Sequence, residues 1–312
     1  MTERVLVTGG AGYIGSILVP ELLAQGYAVT VLDSFARGDT ALAASCATPL
    51  FSAVRGDVRD EAVISKLLAK ADIVIPLAAL VGAPISARDP YASVSVNRDA
   101  IIHLTKKLSR QQKMLYPTTN SGYGIGEAGK LCTEATPLNP ISLYGRTKAE
   151  AERAVLDTGN GISFRLATVF GMSPRMRIDL LVNDFTLRAV TDRAVLVFEG
   201  HFKRNYIHVR DVARTFLHGI ANYASMTGQV YNAGLSEANL SKLELCERIK
   251  AHVPNFVYLE APIGEDPDKR DYIVSNAKLE ATGWNPAHSL DAGIAELVKG
   301  YTMLNTRRFA NI

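Results

Sequence analysis

The stretch that most constrains this chain is Thr8-Gly9-Gly10-Ala11-Gly12-Tyr13-Ile14-Gly15. Arg4-Val5-Leu6-Val7 before it is apolar and β-branched, the pattern of a buried strand. Ile14, Ile17, Leu18 and Leu22 after it recur at helical spacing. A strand that feeds a helix through glycines has a physical use. Gly9 and Gly10 free the turn of side chains, Gly12 allows close approach of a pyrophosphate, and Gly15 lets helix and strand pack closely. The helix N-terminus then offers unpaired N–H groups and a partial positive charge to the phosphates.

The next strand completes the pattern. Ala28-Val29-Thr30-Val31-Leu32 ends at Asp33, where a carboxylate can accept hydrogen bonds from an adenosine ribose. That acid favours NAD and would repel the 2′-phosphate of NADP, whereas Arg37, four residues on, would favour it. Pro20 lies inside the expected helix and should kink it.

Composition narrows the function classes. A net charge of +3 without a Lys/Arg block does not suggest nucleic acid, and no apolar run reaches the length of a membrane span. Cys46, Cys132 and Cys246 are too far apart for a redox or zinc motif and fit a reducing compartment. The expectation is a cytoplasmic protein with no metal.

Helix and strand patterns then alternate. Phe51–Arg55 reads as a strand ending at Gly56-Asp57-Val58, and Asp60 caps a helix with Val63, Ile64, Leu67 and Leu68 on one face. Ile73-Val74-Ile75-Pro76-Leu77-Ala78-Ala79 is a buried strand running into small residues, which suit either a cofactor or close packing. Pro90 opens a long helix through Asn97, Ile101, Leu104 and Leu108, with Asn97 in mid-helix. Lys113–Thr119 is a strand, Ser142–Glu150 a helix, Gly161–Arg165 a strand, and Ile178–Val190 a helix. The downstream pattern is Tyr206–Val209 strand, Arg210–Ala213 helix, Lys242–Ala251 helix, Phe256–Leu259 strand, and helices near Ala277–Ala281 and Asp291–Leu304. The alternation predicts an α/β fold, a Rossmann-type doubly wound parallel sheet with a smaller C-terminal α/β lobe packed over its crevice. Ligands in such sheets bind beyond the strand C-termini, which directs attention to Gly9–Gly15, Asp33, Asp57, Ala78–Val81 and Thr118–Ser121.

Tyr144 and Lys148, four apart on a predicted helix, share a face. An ammonium near a phenol favours the phenolate, and the Thr119 hydroxyl at a strand end can orient the same proton. The trio suits a general base that takes a hydroxyl proton while the carbon loses hydride to a nicotinamide. Tyr123 is the competing phenol.

These motifs resemble the NAD-dependent epimerase/dehydratase family of extended short-chain dehydrogenases/reductases over essentially the full chain. The likeness is carried by the glycine turn, Asp33, Gly56-Asp57-Val58, Leu77-Ala78-Ala79, Asn97, Thr119 with Tyr123-Gly124, and the Tyr144–Lys148 run. Arg204–Ala213 and Gly283-Trp284-Asn285-Pro286 add to it. The resemblance implies tightly held NAD on Gly9, Gly12, Tyr13, Ile14, Gly15, Asp33, Asp57, Val58, Leu77, Ala78, Ala79, Asn97, Tyr144 and Lys148. It implies catalysis by Thr119, Tyr144 and Lys148, and a nucleotide sugar held by Val81, Asn120, Ser121, Asn183, Arg204 and Arg270. It also implies a homodimer through helices. The expected division is residues 1–167 with 205–233 for the cofactor, and 168–204 with 234–312 for the sugar nucleotide.

Dehydratases of this family follow the catalytic Thr with Asp-Glu, whereas this chain has Asn120-Ser121, neither of which can serve as a general acid. Thr168 stands where the family's usual Asn follows the strand Arg. Within the family the chain most resembles the GDP-heptose 4-dehydrogenases of bacterial capsule pathways. Pro117–Gly126, Ser173–Phe185 and the run from Gly264 to Tyr272 carry that likeness. It implies oxidation at carbon four of a GDP-linked manno-heptose, with 4-epimerization as the alternative. A 2-oxo acid such as 2-oxoglutarate is a candidate second oxidant, with Arg175 or Arg177 to pair its carboxylate.

Overall fold

The computed structural model describes residues 2–38, 40–264 and 270–304. Positions 265–269 of the Gly264–Tyr272 run, and 305–312 of the expected sugar-nucleotide lobe, lie outside them. Strands β1 (Arg4–Thr8), β2 (Ala28–Asp33), β3 (Phe51–Arg55), β4 (Ile73–Pro76) and β5 (Lys113–Thr119) form the central sheet with Gly161–Leu166 and Val230–Ala233. From one edge the order is β3-β2-β1-β4-β5, then Gly161–Leu166, then Val230–Ala233, all seven parallel. Such a sheet is covered on both faces, which is why β4 and Gly161–Leu166 are buried along their whole length.

Helix α1 (Gly15–Ala24) and the helix Val209–Ala221 cover one face, burying Leu18, Val19 and Leu22 with Val212, Phe216 and Ile220. Helix α2 (Glu61–Leu68), the helix Ala100–Lys107 and the helix Leu143–Leu156 cover the other. Asp60 caps α2, its carboxylate accepting the N–H groups of Ala62 at 2.9 Å and Val63 at 3.1 Å. Pro20 lies on the exposed side of α1, and the helix runs on past it to Ala24.

A second core lies beyond the sheet's C-terminal edge. Phe170, Met176, Val182 and Phe185 pack there against Leu245, Ile249, Ile294 and Leu297, and Tyr13 of the glycine turn joins them. Short strands assemble this region: Lys203–His208 pairs parallel with Thr168–Phe170 and antiparallel with Asn239–Ser241.

Three expectations need correction. The helix expected from Ile178 begins at Leu181, because Leu180 is extended and acts as its N-cap. The long helix from Pro90 is interrupted: Pro90–Val94 passes through a π-helical turn, Ser95–Asp99, into Ala100–Lys107. Gly15 is needed within the turn itself, since a Cβ there would lie 2.4 Å from the Gly10 carbonyl oxygen. All three cysteines are free, and no metal-binding cluster occurs among the described residues. No helix among the described residues is long and apolar enough to cross a membrane.

Candidate active site

The crevice lies where the strand order reverses, between β1 and β4. There the C-terminal ends of the strands enclose a cavity of about 520 Å³. One wall is the glycine turn. Gly9 has φ +70°, and a Cβ on it would stand 2.5 Å from the Ala78 nitrogen, so both its conformation and its neighbour require glycine. Asp33 braces this turn: one carboxylate oxygen accepts Ala11 N–H at 2.9 Å and the other accepts Phe35 N–H at 2.8 Å. Tyr13 ties the turn to the second core, its hydroxyl donating to the Gly171 carbonyl at 2.6 Å.

Gly9, Gly12, Tyr13, Ile14, Gly15, Asp33, Asp57, Val58, Leu77, Ala78 and Ala79 all line the cavity. The Arg59 guanidinium hydrogen-bonds Asp57 and holds its carboxyl below the usual range. Asn97 stands one layer behind. Fully buried in the π-helical turn, it accepts Leu80 N–H at 2.8 Å and donates to Leu80 C=O at 2.9 Å, fixing the loop that follows β4.

At the other end, Thr119, Tyr144 and Lys148 meet. Ser142 caps the helix Leu143–Leu156, its hydroxyl accepting Gly145 N–H at 3.1 Å, and helical spacing then buries Tyr144 and Lys148 on one face. Thr119 and Tyr144 line the same cavity as Lys148, and the Thr119 hydroxyl donates to Ser121 Oγ at 2.9 Å. Burial pushes the Tyr144 phenol up, opposed by the Arg177 and Arg270 guanidiniums and by Thr119. Burial lowers Lys148 to about 7, opposed by Glu152. The Lys148 ammonium stands 4.0 Å from the Tyr116 ring centroid and has no hydrogen-bond acceptor among the described residues.

Tyr123, the competing phenol, is elsewhere. It lies behind the wall, donating to Asn232 Oδ1 at 2.7 Å and accepting from Arg165 at 3.0 Å, with burial pushing it up to about 12. A phenol so engaged cannot serve as the base.

The expected sugar-nucleotide residues divide. Val81, Ser121 and Arg270 line the cavity. Asn183 does not: its amide is taken up by Gly171 N–H at 3.0 Å, the Tyr13 hydroxyl at 3.2 Å and the Arg177 carbonyl at 2.8 Å. Arg204 is buried over the Tyr272 ring, 5.7 Å from its centroid, and it is Tyr272 that lines the cavity. Asn120 is buried beside Thr119 with neither amide atom paired. Arg37, Arg175 and Arg177 also reach the wall. Burial lowers Arg175, and its like-charged neighbours Arg37 and Arg177 lower it further. Leu166–Val169 line the cavity as well, and the strand-end rule applied to Gly161–Leu166 would have found them. Tyr272 carries no such signal, since pairing of Ile273–Val274 with Leu131–Cys132 delivers it.

A doubly wound sheet, a glycine turn at its switch point and a Thr-Tyr-Lys trio in the same cavity define a dinucleotide-dependent oxidoreductase. The Lys148 ammonium, buried in the wall without an acceptor, fits a ribose diol, and the cradle that a Gly9 Cβ would fill fits a diphosphate. The chain belongs to the NAD dependent epimerase/dehydratase family, whose sequence profile matches residues 5–234, and its cofactor is NAD. It is 30% identical over 310 residues to the low-salt glycan biosynthesis protein Agl12 of Haloferax volcanii, covering 95% of this chain and 98% of that one. It is also 30% identical to a dTDP-glucose 4,6-dehydratase of an Actinoplanes species, covering 96% and 97%. The crystal structure of a Thermus thermophilus UDP-glucose 4-epimerase with NAD superimposes with a TM-score of 0.82 at 26% identity, covering 96% of this chain and 99% of that one.

Proposed function

We propose that this enzyme oxidises carbon four of a nucleotide-diphosphate sugar to the 4-keto sugar, with a GDP-linked manno-heptose as the substrate. The carrying observation is which acids and bases the cavity holds. Thr119, Tyr144 and Lys148 stand together in it, while its carboxylates among the described residues are Asp33, the last residue of β2, and Asp57, just past β3. Elimination of water needs a proton donor beside the sugar, and Asn120 and Ser121 stand where it would be. When bound, NAD accepts the hydride from carbon four. The Tyr144 phenolate takes the hydroxyl proton, Thr119 orients it, and Lys148 holds the ribose and favours the phenolate. The runs Pro117–Gly126 and Ser173–Phe185 support the GDP-heptose assignment.

Oxidation that stops at the ketone leaves reduced cofactor behind, so turnover needs a second oxidant. A small 2-oxo acid, reduced to the 2-hydroxy acid, balances the electrons, and Arg175 and Arg177 in the wall suit its carboxylate. A second reading, 4-epimerization, is supported by the likeness to UDP-glucose 4-epimerase, because the same trio can return the hydride to the opposite face.

The test is product analysis on GDP-, UDP-, CDP- and dTDP-sugars, GDP-manno-heptose included, with and without 2-oxo acids. Loss of two hydrogens from GDP-manno-heptose, dependent on the acid, is the expected result. Unchanged mass with inverted carbon four establishes epimerization, and loss of water overturns the argument from Asn120 and Ser121.

A further inference from the structure

We propose that Tyr116 is a positioning residue for Lys148: the face of its ring carries the buried ammonium and keeps it charged for the cofactor ribose. This role rests on Lys148 as the cation that meets the ribose, and not on which sugar is oxidised. Alternation along β5 sends Met114 and Tyr116 to one side of the sheet, where they pack with Ala151 and Val155 of the helix Leu143–Leu156. Helical spacing turns Lys148 to the same buried side, and its ammonium comes down over the Tyr116 ring, 4.0 Å from the centroid. Both residues are buried, so water screens the contact little.

An aromatic residue at this position is not explained by packing alone. The Tyr116 hydroxyl is buried with no hydrogen-bond partner among the described residues. That is a penalty which an aliphatic side chain in the same layer would not carry. The hydroxyl supplies no counter-charge either, since burial holds the phenol well above its ordinary range. What Tyr116 offers Lys148 is the negative face of its ring.

The other groups around Lys148 give its charge little support. Burial lowers Lys148, and Glu152, one turn along the helix, opposes this. The Glu152 carboxylate is already engaged by Arg165 at 2.7 Å and by Ser163 at 3.0 Å. On the outer side of the same helix Glu150 pairs with Arg98 at 3.2 Å. Tyr144, one turn before Lys148, is kept neutral by burial. The other cations of the cavity wall, Arg37, Arg175, Arg177 and Arg270, are like charges, and its carboxylates Asp33 and Asp57 stand on the far side of β4 and β1. The ring beneath the ammonium therefore offsets part of the burial penalty that the charged neighbours leave in place.

The experiment changes the charge on the ring face while keeping its shape. Full-length enzyme labelled at lysine 13Cε is titrated by NMR with and without saturating NAD, and Lys148→Met identifies the resonance. Tyr116→Phe keeps the ring and drops the unpaired hydroxyl, so protonation of Lys148 should stay within about twofold of wild type. Increasingly fluorinated phenylalanines at position 116 withdraw electron density from the face at nearly constant volume. They should weaken protonation of Lys148 stepwise, reaching roughly threefold to thirtyfold. Tyr116→Leu should do so in one step, with Tyr116→Met in its place if that variant does not fold. NAD affinity near neutral pH should fall in the same order. A midpoint that fluorination leaves unmoved, or raises, overturns the proposal. So does a fall in Tyr116→Phe as large as in Tyr116→Leu, which assigns the effect to the hydroxyl or to packing. NAD affinity that Lys148→Met leaves unchanged overturns the role of Lys148 itself, an outcome the NMR midpoints keep apart from failure of the ring contact.

Discussion

Two charged side chains one turn apart on the helix Leu143–Leu156 are buried to the same degree, Lys148 at 4% and Glu152 at 3% exposure, yet their surroundings are opposite. Glu152 is saturated. It accepts from Arg165 at 2.7 and 3.1 Å and from Ser163 at 3.0 Å, and Arg165 in turn donates to Tyr123. Lys148 has an aromatic face and a cavity instead. A buried charge with every hydrogen-bonding site filled holds the sheet and helix in register. A buried charge left without an acceptor is one whose partner is a ligand. The same helix therefore carries a structural ion pair and a catalytic cation, separated only by what the neighbouring strands supply.

The largest effect should come from Tyr144, the cavity-facing residue one turn before Lys148. Tyr144→Phe should lower turnover on the order of a thousandfold while NAD still binds, because the variant loses only the ionisable oxygen. Near-normal turnover, measured by single-turnover hydride transfer, would place the base elsewhere.

On the saturated side, Glu152→Gln leaves the Arg165 guanidinium buried without its counter-charge and should cost about 3–5 kcal/mol of stability. Urea unfolding measures this, and a loss below about 1 kcal/mol would show that water or a rearranged partner reaches Arg165.

Lys148→Met should have the opposite signature. NAD affinity should fall roughly tenfold to a hundredfold, the worth of charge-assisted hydrogen bonds. Stability of the NAD-free protein should rise at low pH. Burial holds Lys148 at about 7 in the fold, below the ~10.4 of an unfolded chain. Below pH 7 the native state keeps the ammonium and bears the full burial penalty. Between these values the unfolded state binds the extra proton, so wild-type stability rises with pH and the penalty fades. The advantage of Lys148→Met should thus be largest near pH 6 and nearly gone by pH 10. A melting-temperature difference that stays constant across that range would break the comparison.

The smallest effect belongs to an ion pair outside both environments. Arg4 and Asp72 meet at 2.8 Å with their side chains 53% and 38% exposed, and Arg4 holds Asp72 down to about 2. Solvent screens such a pair, so Asp72→Asn should shift the melting temperature by only about a degree at neutral pH. The Asp72 contribution is present above the unfolded carboxylate range and fades as pH falls toward 2. A shift as large as that of Glu152→Gln would mean that ion pairing, and not burial, separates the two cases.

The amino-acid sequence by itself determined the sheet strands β1 to β5, the glycine turn, Asp33 and the spacing of Tyr144 and Lys148. Each depends on local chemistry: apolar β-branched runs, glycine where the backbone turns, and helical periodicity. Tertiary structure decided which of two plausible phenols faces the cavity, sending Tyr123 to Arg165 and Asn232 and leaving Tyr144 in the cavity wall with Thr119 and Lys148. It also placed Asn183 under Tyr13 and Gly171, away from the cavity, and brought Arg270 and Tyr272 from the tail to Ser121 and the wall. Spacing along one helix fixes which side chains share a face. What that face meets depends on segments far away in the chain, and only packing sets those contacts.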